Sequence, residues 1–480
     1  MIYIVISILL KVYFIFNVLQ KNYYDYRSVV KYTIKKLYIL FITSISILLF
    51  NIFKHSIFEG LVIGAIVFQI IYLIKKSKVF LKITKRIIRL FISVILEVLL
   101  LSFFLPYLLI EFIIPILVII ANIINKPIEY LIKKKYITKA TKRISKIDCV
   151  KIAITGSYGK TSVKNYINDV LKEKYIVKSS PKSFNTPLGI SKFINNEEFL
   201  CADFVIYEFG ARKVNDIKEL KDLFSYDISV VTSVGPMHID TFKSLENIIE
   251  EKMSIVQNDK THITILNYEN EYIRNYEVNC KKYSYGFDFG DFRAKNIDIG
   301  VNGSEFDFYQ NDVFIKRFKV KPLGKSAILN LLPAIIICYL YDISYENIEK
   351  IEMVENRLSL RKMNDYLILD DAYNSNIVGA TYALEVLNTH AGKKFLITPG
   401  FVEMDLIKLE LAKEYADKIE EAVDVLILVK NDFTILLARY LKSAKYYFVT
   451  SFKEGFDLFL KLKEDNSIVL IENDLLDWKE

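Results

Sequence analysis

The stretch Ile154–Ser162, ITGSYGKTS, closes a β-rich run, DCVKIAIT (148–155), and opens onto SVKNYINDVLKEKY (162–175). In the latter, Val163, Tyr166, Ile167, Val170 and Leu171 recur at helical spacing. Strand, glycine loop and helix form the context a phosphate-binding loop requires, because the helix N-terminus offers backbone N–H groups and a positive dipole end to an anion. The loop departs from the usual pattern, which places four residues between its two glycines. Counting back from Gly159 finds Ile154 at that position, and Gly156 stands two residues too late. Lys160 is placed to reach the β- and γ-phosphates of a nucleotide, and the Thr161 hydroxyl to hold Mg²⁺.

Composition divides the chain in two. Of 480 residues, 52% are hydrophobic, and the mean hydropathy is +0.26, more apolar than a soluble enzyme needs. Residues 1–147 carry 22 Lys/Arg against 5 Asp/Glu, a balance of +17, whereas the remainder carries 42 against 51. The basic excess sits between apolar blocks at 1–19, 37–53, 57–74 and 90–125. That pattern points to a membrane, not to nucleic acid, which would call for a basic face on the folded domain. The first three blocks are each about one span long. The fourth holds Pro106 and Pro115 and reads as two spans turning near Pro106. Lys11 interrupts the first block and no small-residue cleavage site follows, which argues against a signal peptide.

The positive-inside rule then places the basic stretches 20–36, 75–89 and 126–147 on the cytoplasmic side. Five helices with the N-terminus outside satisfy it, and they leave residues 148–480 in the cytoplasm. Glu97 and Glu111 fall within spans, where a charged group is costly and can be functional. The four scattered cysteines, Cys149, Cys201, Cys280 and Cys338, lack a C-x-x-C pair and read as buried free thiols.

Downstream of the loop, further segments follow in order: SFNTPLGI (183–190), FVIYEFGARKVNDI (204–217), TSVGPMHIDTFKSLENIIEEKMSI (232–255), ENRLSL (355–360), DDAYNSN (370–376) and ITPGFVEMD (397–405). By themselves they offer chemistry at strand ends. Glu208 follows the apolar strand FVIY, where α/β sites form. His238 follows VVTSVGPM, although a lone histidine is more often structural. Lys252 alone would read as a solvated helix lysine. Asp371 and Asn374 follow YLIL and offer an acceptor and an amide to ribose, phosphate or metal-bound water.

Together these segments resemble the Mur ligase family, ATP-dependent amide-forming enzymes of cell-wall precursor synthesis. The likeness runs from about residue 150 to 480. Thr155–Ser162 matches the family's shortened loop T-G-S-x-G-K-T-[ST]. The resemblance implies an α/β fold: a P-loop ATP-binding central domain (148–345) and a Rossmann-like C-terminal domain (346–480), behind a helical membrane domain with a basic linker (1–147). It implies nucleotide contacts from Gly156, Ser157, Gly159, Lys160, Thr161, Ser162, Asn330, Arg357, Asp371 and Asn374. Metal ligation falls to Thr161, Glu208, His238 and Lys252, the last as a carbamylated lysine fourteen residues beyond the histidine. Lys160, His238 and Lys252 would act in catalysis, with ATP and Mg²⁺ as cofactors.

Two segments depart from the family. GKSAILN (324–330) keeps Asn330 but has Ser326 and Ala327 where the family has His-Asn, and IENDLLD (471–477) stands where K-G-S is common. The apolar segment occupies the place of the family's UDP-sugar-recognising domain. The expected activity is ligation of an amino acid or dipeptide, such as D-Ala-D-Ala, to a small-molecule or lipid-linked cell-wall precursor. The precursor's carboxylate would be activated as an acyl phosphate at the cytoplasmic membrane face. A membrane-tethered poly-γ-glutamate-type synthetase and a non-ligase membrane ATPase or scaffold are the alternatives.

Overall fold

The computed structural model describes residues 2–472 apart from 23, 77–80, 182, 200, 258–262, 356, 373–375 and 402–406. Asn374 lies outside the described residues, as do parts of ITPGFVEMD and IENDLLD. The chain forms two compact units, Met1–Tyr136 and Ile137–Glu480.

In the first unit the apolar blocks become helices Ile2–Lys21, Leu37–Phe53, Ser56–Lys76, Lys85–Ser102 and Tyr107–Ile144. The last two part at residues 103–106, the turn expected near Pro106. The basic stretch 20–36 is largely a further helix, Tyr26–Lys35. By length and composition alone, Ile2–Lys21 and Tyr107–Ile144 are each long and apolar enough to cross a membrane. Gly324–Tyr341 also qualifies, but it is packed in the core of the second unit. Lys11, which breaks the first apolar block, is explained by its partner. Its Nζ lies 2.6 Å from Glu111 Oε1 with both side chains fully buried, and Ser7, Thr43 and Ser44 bond into the same cluster. An apolar helix carries a charge at low cost only when the opposite charge and hydrogen bonds meet it.

The basic stretch 126–147 is not a linker, as expected, but continues helix Tyr107–Ile144. Its end belongs to the second unit, because Ala140 and Ile144, one helical turn apart, are buried in that unit's core. The structural boundary therefore falls earlier than residue 147.

The second unit contains two sheets. The first has nine strands: β1 (Val150–Thr155), β2 (Val177–Ser179), β3 (Phe204–Glu208), β4 (Ile228–Val231), β5 (Ile263–Asn267), β6 (Lys281–Gly286), β7 (Phe292–Gly300), β8 (Gly303–Gln310) and β9 (Val313–Val320), in the order β2-β3-β1-β4-β5-β6-β7-β8-β9. From β2 to β7 neighbours run parallel, and β7-β8-β9 is an antiparallel meander. Parallel strands are covered on both faces, and successive side chains alternate between them. Accordingly Ile152 and Ile154 join a core with helices Lys160–Lys172 and Gly324–Tyr341, whereas Ala153 joins the opposite core with helices Pro187–Asn196 and Asp216–Leu223. Strand β1 has β3 on one side and β4 on the other. The strand order reverses there while the strands stay parallel, which opens a crevice at their carboxyl ends.

The second sheet, β10 (Ser359–Lys362), β11 (Tyr366–Asp371), β12 (Lys394–Thr398), β13 (Val425–Val429), β14 (Lys445–Val449) and β15 (Ser467–Glu472), has the order β10-β11-β15-β12-β13-β14. All its pairs are parallel except β10 with β11. The expected α/β architecture holds for both lobes. The thiols are free among the described residues, but only Cys338 is buried; Cys201 is exposed, so the expectation of four buried thiols is corrected.

Glu472, at the end of β15, is wholly buried and accepts a hydrogen bond from Tyr415. Burial pushes its carboxyl up to about 7. A carboxyl raised in the folded state contributes fully below its ordinary value near 4.5, and this contribution is lost as pH rises through about 7. Glu472→Gln should therefore raise the unfolding temperature at pH 8.5, by about 3 kcal/mol in stability, and change little at pH 4. A lower unfolding temperature for the variant at pH 8.5 would contradict this account.

Candidate functional site

The loop Gly156–Gly159 leaves β1 at the crevice and is tied down from β4's side. Ser157 N donates to Ser233 O (2.8 Å), Tyr158 N to Ser233 Oγ (2.8 Å) and Ser157 Oγ to Gly235 O (3.0 Å). Glycine is required twice. Gly156 has φ +147° and a Cβ there would meet Thr232 Oγ1 at 2.1 Å; Gly159 has φ +81° and a Cβ would meet Asn330 Oδ1 at 2.4 Å. The shorter loop therefore replaces the missing first glycine with a close approach to the β4 loop. Helix Lys160–Lys172 starts without a side-chain cap, so its positive end is offered to an anion.

A cavity of about 360 Å³ lies before this helix end, lined among others by Lys160, Thr161, Glu208, His238, Lys252 and Arg357. Residues from five segments of sequence thus meet at one site. Glu208, the last residue of β3, is 1% exposed. Thr161 Oγ1 donates to its Oε2 at 2.9 Å, Asn185 Nδ2 to its Oε1 at 3.1 Å, and Lys164 Nζ stands 3.5 Å from Oε2. Lys160 Nζ donates to Gly156 O (2.6 Å) and Ser157 O (3.1 Å). Burial pulls Lys160 down to about 8, against the attraction of Glu208 and with the repulsion of Arg357.

His238 takes a left-handed backbone, φ +58°, at the start of the short helix Ile239–Phe242. Lys252, expected from its helix to be solvated, is 3% exposed, and its Nζ donates to Ala211 O at 3.3 Å. Burial, then the neighbouring Lys160, pulls it down to about 7, while Glu251, Asp216 and Glu208 oppose the shift. An amine neutral near pH 7 can act as a nucleophile toward CO₂.

The remaining expected residues take different places. Ser157 and Gly159 line this cavity, whereas Gly156 and Ser162 shape the loop and first turn without lining it. Asn330 and Gly159 line a second cavity of about 490 Å³ with Tyr158, Arg274, Phe289 and Tyr382. Asp371 lines neither cavity; it accepts from Leu358 N at 3.1 Å, next to Arg357 in sequence. Sequence reading missed Lys164 and assigned no role to Asn185. The signal for Lys164 was its position four residues after Lys160, on the same helix face.

Among the described residues no cluster of three His, Cys, Asp or Glu side chains could hold a metal ion. That is consistent with Mg²⁺, which is held by one or two carboxylates together with substrate phosphates. Glu208 with the Thr161 hydroxyl fits one such ion. A second, beside His238, requires Lys252 to carry an oxygen.

The fold and site define a P-loop α/β enzyme with a cationic, carboxylate-bearing cleft. Residues 154–338 match the model of the Mur ligase middle domain. The chain is 28% identical over 352 residues to a UDP-N-acetylmuramoyl-tripeptide–D-alanyl-D-alanine ligase of Borreliella burgdorferi, covering 68% of this chain and 73% of that protein. It is 26% identical over 277 residues to the enzyme of the same name from Bacillus subtilis, covering 53% of this chain and 58% of that protein. The crystal structure of the MurF ligase of Thermotoga maritima in complex with ADP shares the fold, with a TM-score of 0.65 at 20% identity, covering 72% of this chain and 80% of that one. Residues 154–338 carry a Mur ligase middle domain, and the protein is an enzyme, an ATP-dependent acid–amino-acid ligase similar to the Mur ligases.

Proposed function

We propose that the protein joins an amine, an amino acid or a dipeptide such as D-alanyl-D-alanine, to the carboxylate of a peptidoglycan precursor at the cytoplasmic face of a membrane. One observation carries this reading: a single cavity gathers Lys160, Thr161, Glu208, His238, Lys252 and Arg357. The names of the relatives from Borreliella burgdorferi and Bacillus subtilis support the choice of dipeptide.

The substrate carboxylate attacks the γ-phosphorus of ATP, the bond to the β-phosphate oxygen breaks, and ADP leaves. The amine then attacks the acyl carbon, phosphate departs with the bonding electrons, and the amine loses a proton. Carboxylate and triphosphate repel each other, so the protein must hold them together and offset their charge. Lys160 and Arg357 supply positive charge at the phosphates, and the capless helix end supplies oriented N–H groups. Bound Mg²⁺ would add charge neutralisation, held by Thr161 and Glu208 and, at a second position, by His238 and carbamylated Lys252. The second cavity, which adjoins the loop through Tyr158 and Gly159, suits the flat base of the nucleotide. Tyr382 and Arg274 stacked on Phe289 would take the place of the absent His-Asn pair.

The apolar helices and the basic residues between them support five spans with the N-terminus outside. The decisive experiment incubates the full chain with Mg-ATP and candidate carboxylate–amine pairs. Phosphate release should require both members of one pair. Release indifferent to them would overturn the ligase reading in favour of a membrane ATPase.

A further inference from the structure

At the basic end of the helical unit, Tyr24 follows helix Ile2–Lys21 with a left-handed backbone (φ +63°), and its N–H donates to Leu19 O at 2.7 Å. Asn122 Nδ2 donates to Tyr24 O at 3.0 Å. The ring thus held lies flat beneath Arg86, whose guanidinium carbon is 3.5 Å from the ring centroid. One turn on, Arg89 is paired with Glu129 at 2.6 Å, which occupies the nearby carboxylate. Arg86 makes no ion pair among the described residues, and its Nε is buried without a hydrogen-bond partner. Lys126 stands over the ring of Tyr26 at 5.2 Å, and Lys82 is fixed by backbone bonds to Gln20. Ile83, Leu131 and Tyr130 are exposed nearby in sequence.

Arg86, stacked on an aromatic ring and sharing its nearest carboxylate, Glu129, with Arg89, leaves positive charge for a further acceptor bearing negative charge. Surrounding cations and exposed apolar side chains belong where headgroups meet acyl chains. We propose that this end of the helical unit is a binding site for the phosphate of an anionic membrane phospholipid, with Arg86 as its bidentate anchor. The proposal rests on the membrane reading above, and it adds a partner that ligation itself does not call for.

The test uses the full chain in two steps. Alkaline carbonate extraction of membranes first establishes integration; release into the supernatant would overturn both readings. The purified chain is then reconstituted in nanodiscs of phosphatidylcholine with or without 30% phosphatidylglycerol, and the lipid retained after detergent exchange is quantified. The native chain should retain phosphatidylglycerol about tenfold over phosphatidylcholine, and Arg86→Gln should abolish the preference without releasing the chain from the membrane. Arg86→Lys, which keeps the charge and loses the fork, should retain part of it. Should Arg86→Gln fail to fold, Lys126→Gln should lower the same preference two- to threefold. Equal retention of both lipids by the native chain would overturn the proposal and leave the membrane reading standing. So would unchanged preference in the folded Arg86 or Lys126 variants, or inorganic phosphate at millimolar concentration displacing the lipid completely.

Discussion

Glu208→Gln is expected to lower the ATP turnover that requires both substrates by about 10³-fold, the scale of losing one electrostatic group in a reaction centre. The side chain is buried at the end of β3, and it accepts from Thr161 and Asn185 while Lys164 stands 3.5 Å away. Lys160, Arg212, Lys252 and Arg357 line the same cavity with only Asp216 as a second carboxylate among the lining residues, so Glu208 supplies much of the negative charge in a basic volume. The amide keeps the shape and removes the charge. It also leaves Lys164 as a buried cation with its backbone bond to Ser180 O, a loss on the order of 3 kcal/mol in stability for breaking a buried pair. Stability and chemistry must therefore be read separately. Glu208→Asp keeps the charge and withdraws it by one methylene; it should fold at near-native stability and still lose at least tenfold in turnover. The discriminating measurement is nucleotide affinity with and without Mg²⁺. Native protein should bind ADP more tightly when Mg²⁺ is present, and Glu208→Gln should bind equally in both conditions. An undiminished Mg²⁺ effect in that variant would remove Glu208 from the metal site.

Much of this site could be read before any coordinates, because its residues cluster at strand ends that hydrophobic patterning exposes. FVIY ending at Glu208 and DCVKIAIT ending at the glycine loop are buried strands whose carboxyl ends must face the crevice. What patterning could not show is burial set by tertiary neighbours. Lys252 lies on an ordinary amphipathic helix, Leu245–Met253, and only the packing of that helix against the loop after β3 buries it. Likewise, Lys11 and Glu111 read separately as an interruption and a costly charge. Their pairing across 100 residues follows from which helices touch, and no local period encodes that. The basic stretch after residue 125 misled for the opposite reason. Its lysines advertise a solvated linker, while Ala140 and Ile144, four residues apart on one helix face, are packed in the α/β core.

Lys252→Ala should reduce turnover by 10²- to 10³-fold, and short carboxylic acids added to the assay should restore part of it. The argument starts from the amine's environment. At 3% exposure and drawn down to about 7, Lys252 is partly neutral at physiological pH. A neutral amine adds to CO₂: the N–C bond forms, the nitrogen loses a proton, and a carbamate anion results. The product suits the cavity better than the ammonium does, since Lys160 repels one and attracts the other. It would also place oxygen beside Glu208 and His238, where a cationic lysine would repel Mg²⁺. Truncation to alanine removes three methylenes and the amine, leaving a buried space with one polar mouth. Acetate or propionate can enter that space and present the same two oxygens. The rescue should saturate with carboxylate concentration and should not appear with uncharged amides of the same size. A ¹³C carbamate resonance from native protein equilibrated with ¹³CO₂, absent in Lys252→Ala, gives a readout independent of turnover. Native activity in Lys252→Ala would exclude the modified lysine from the reaction.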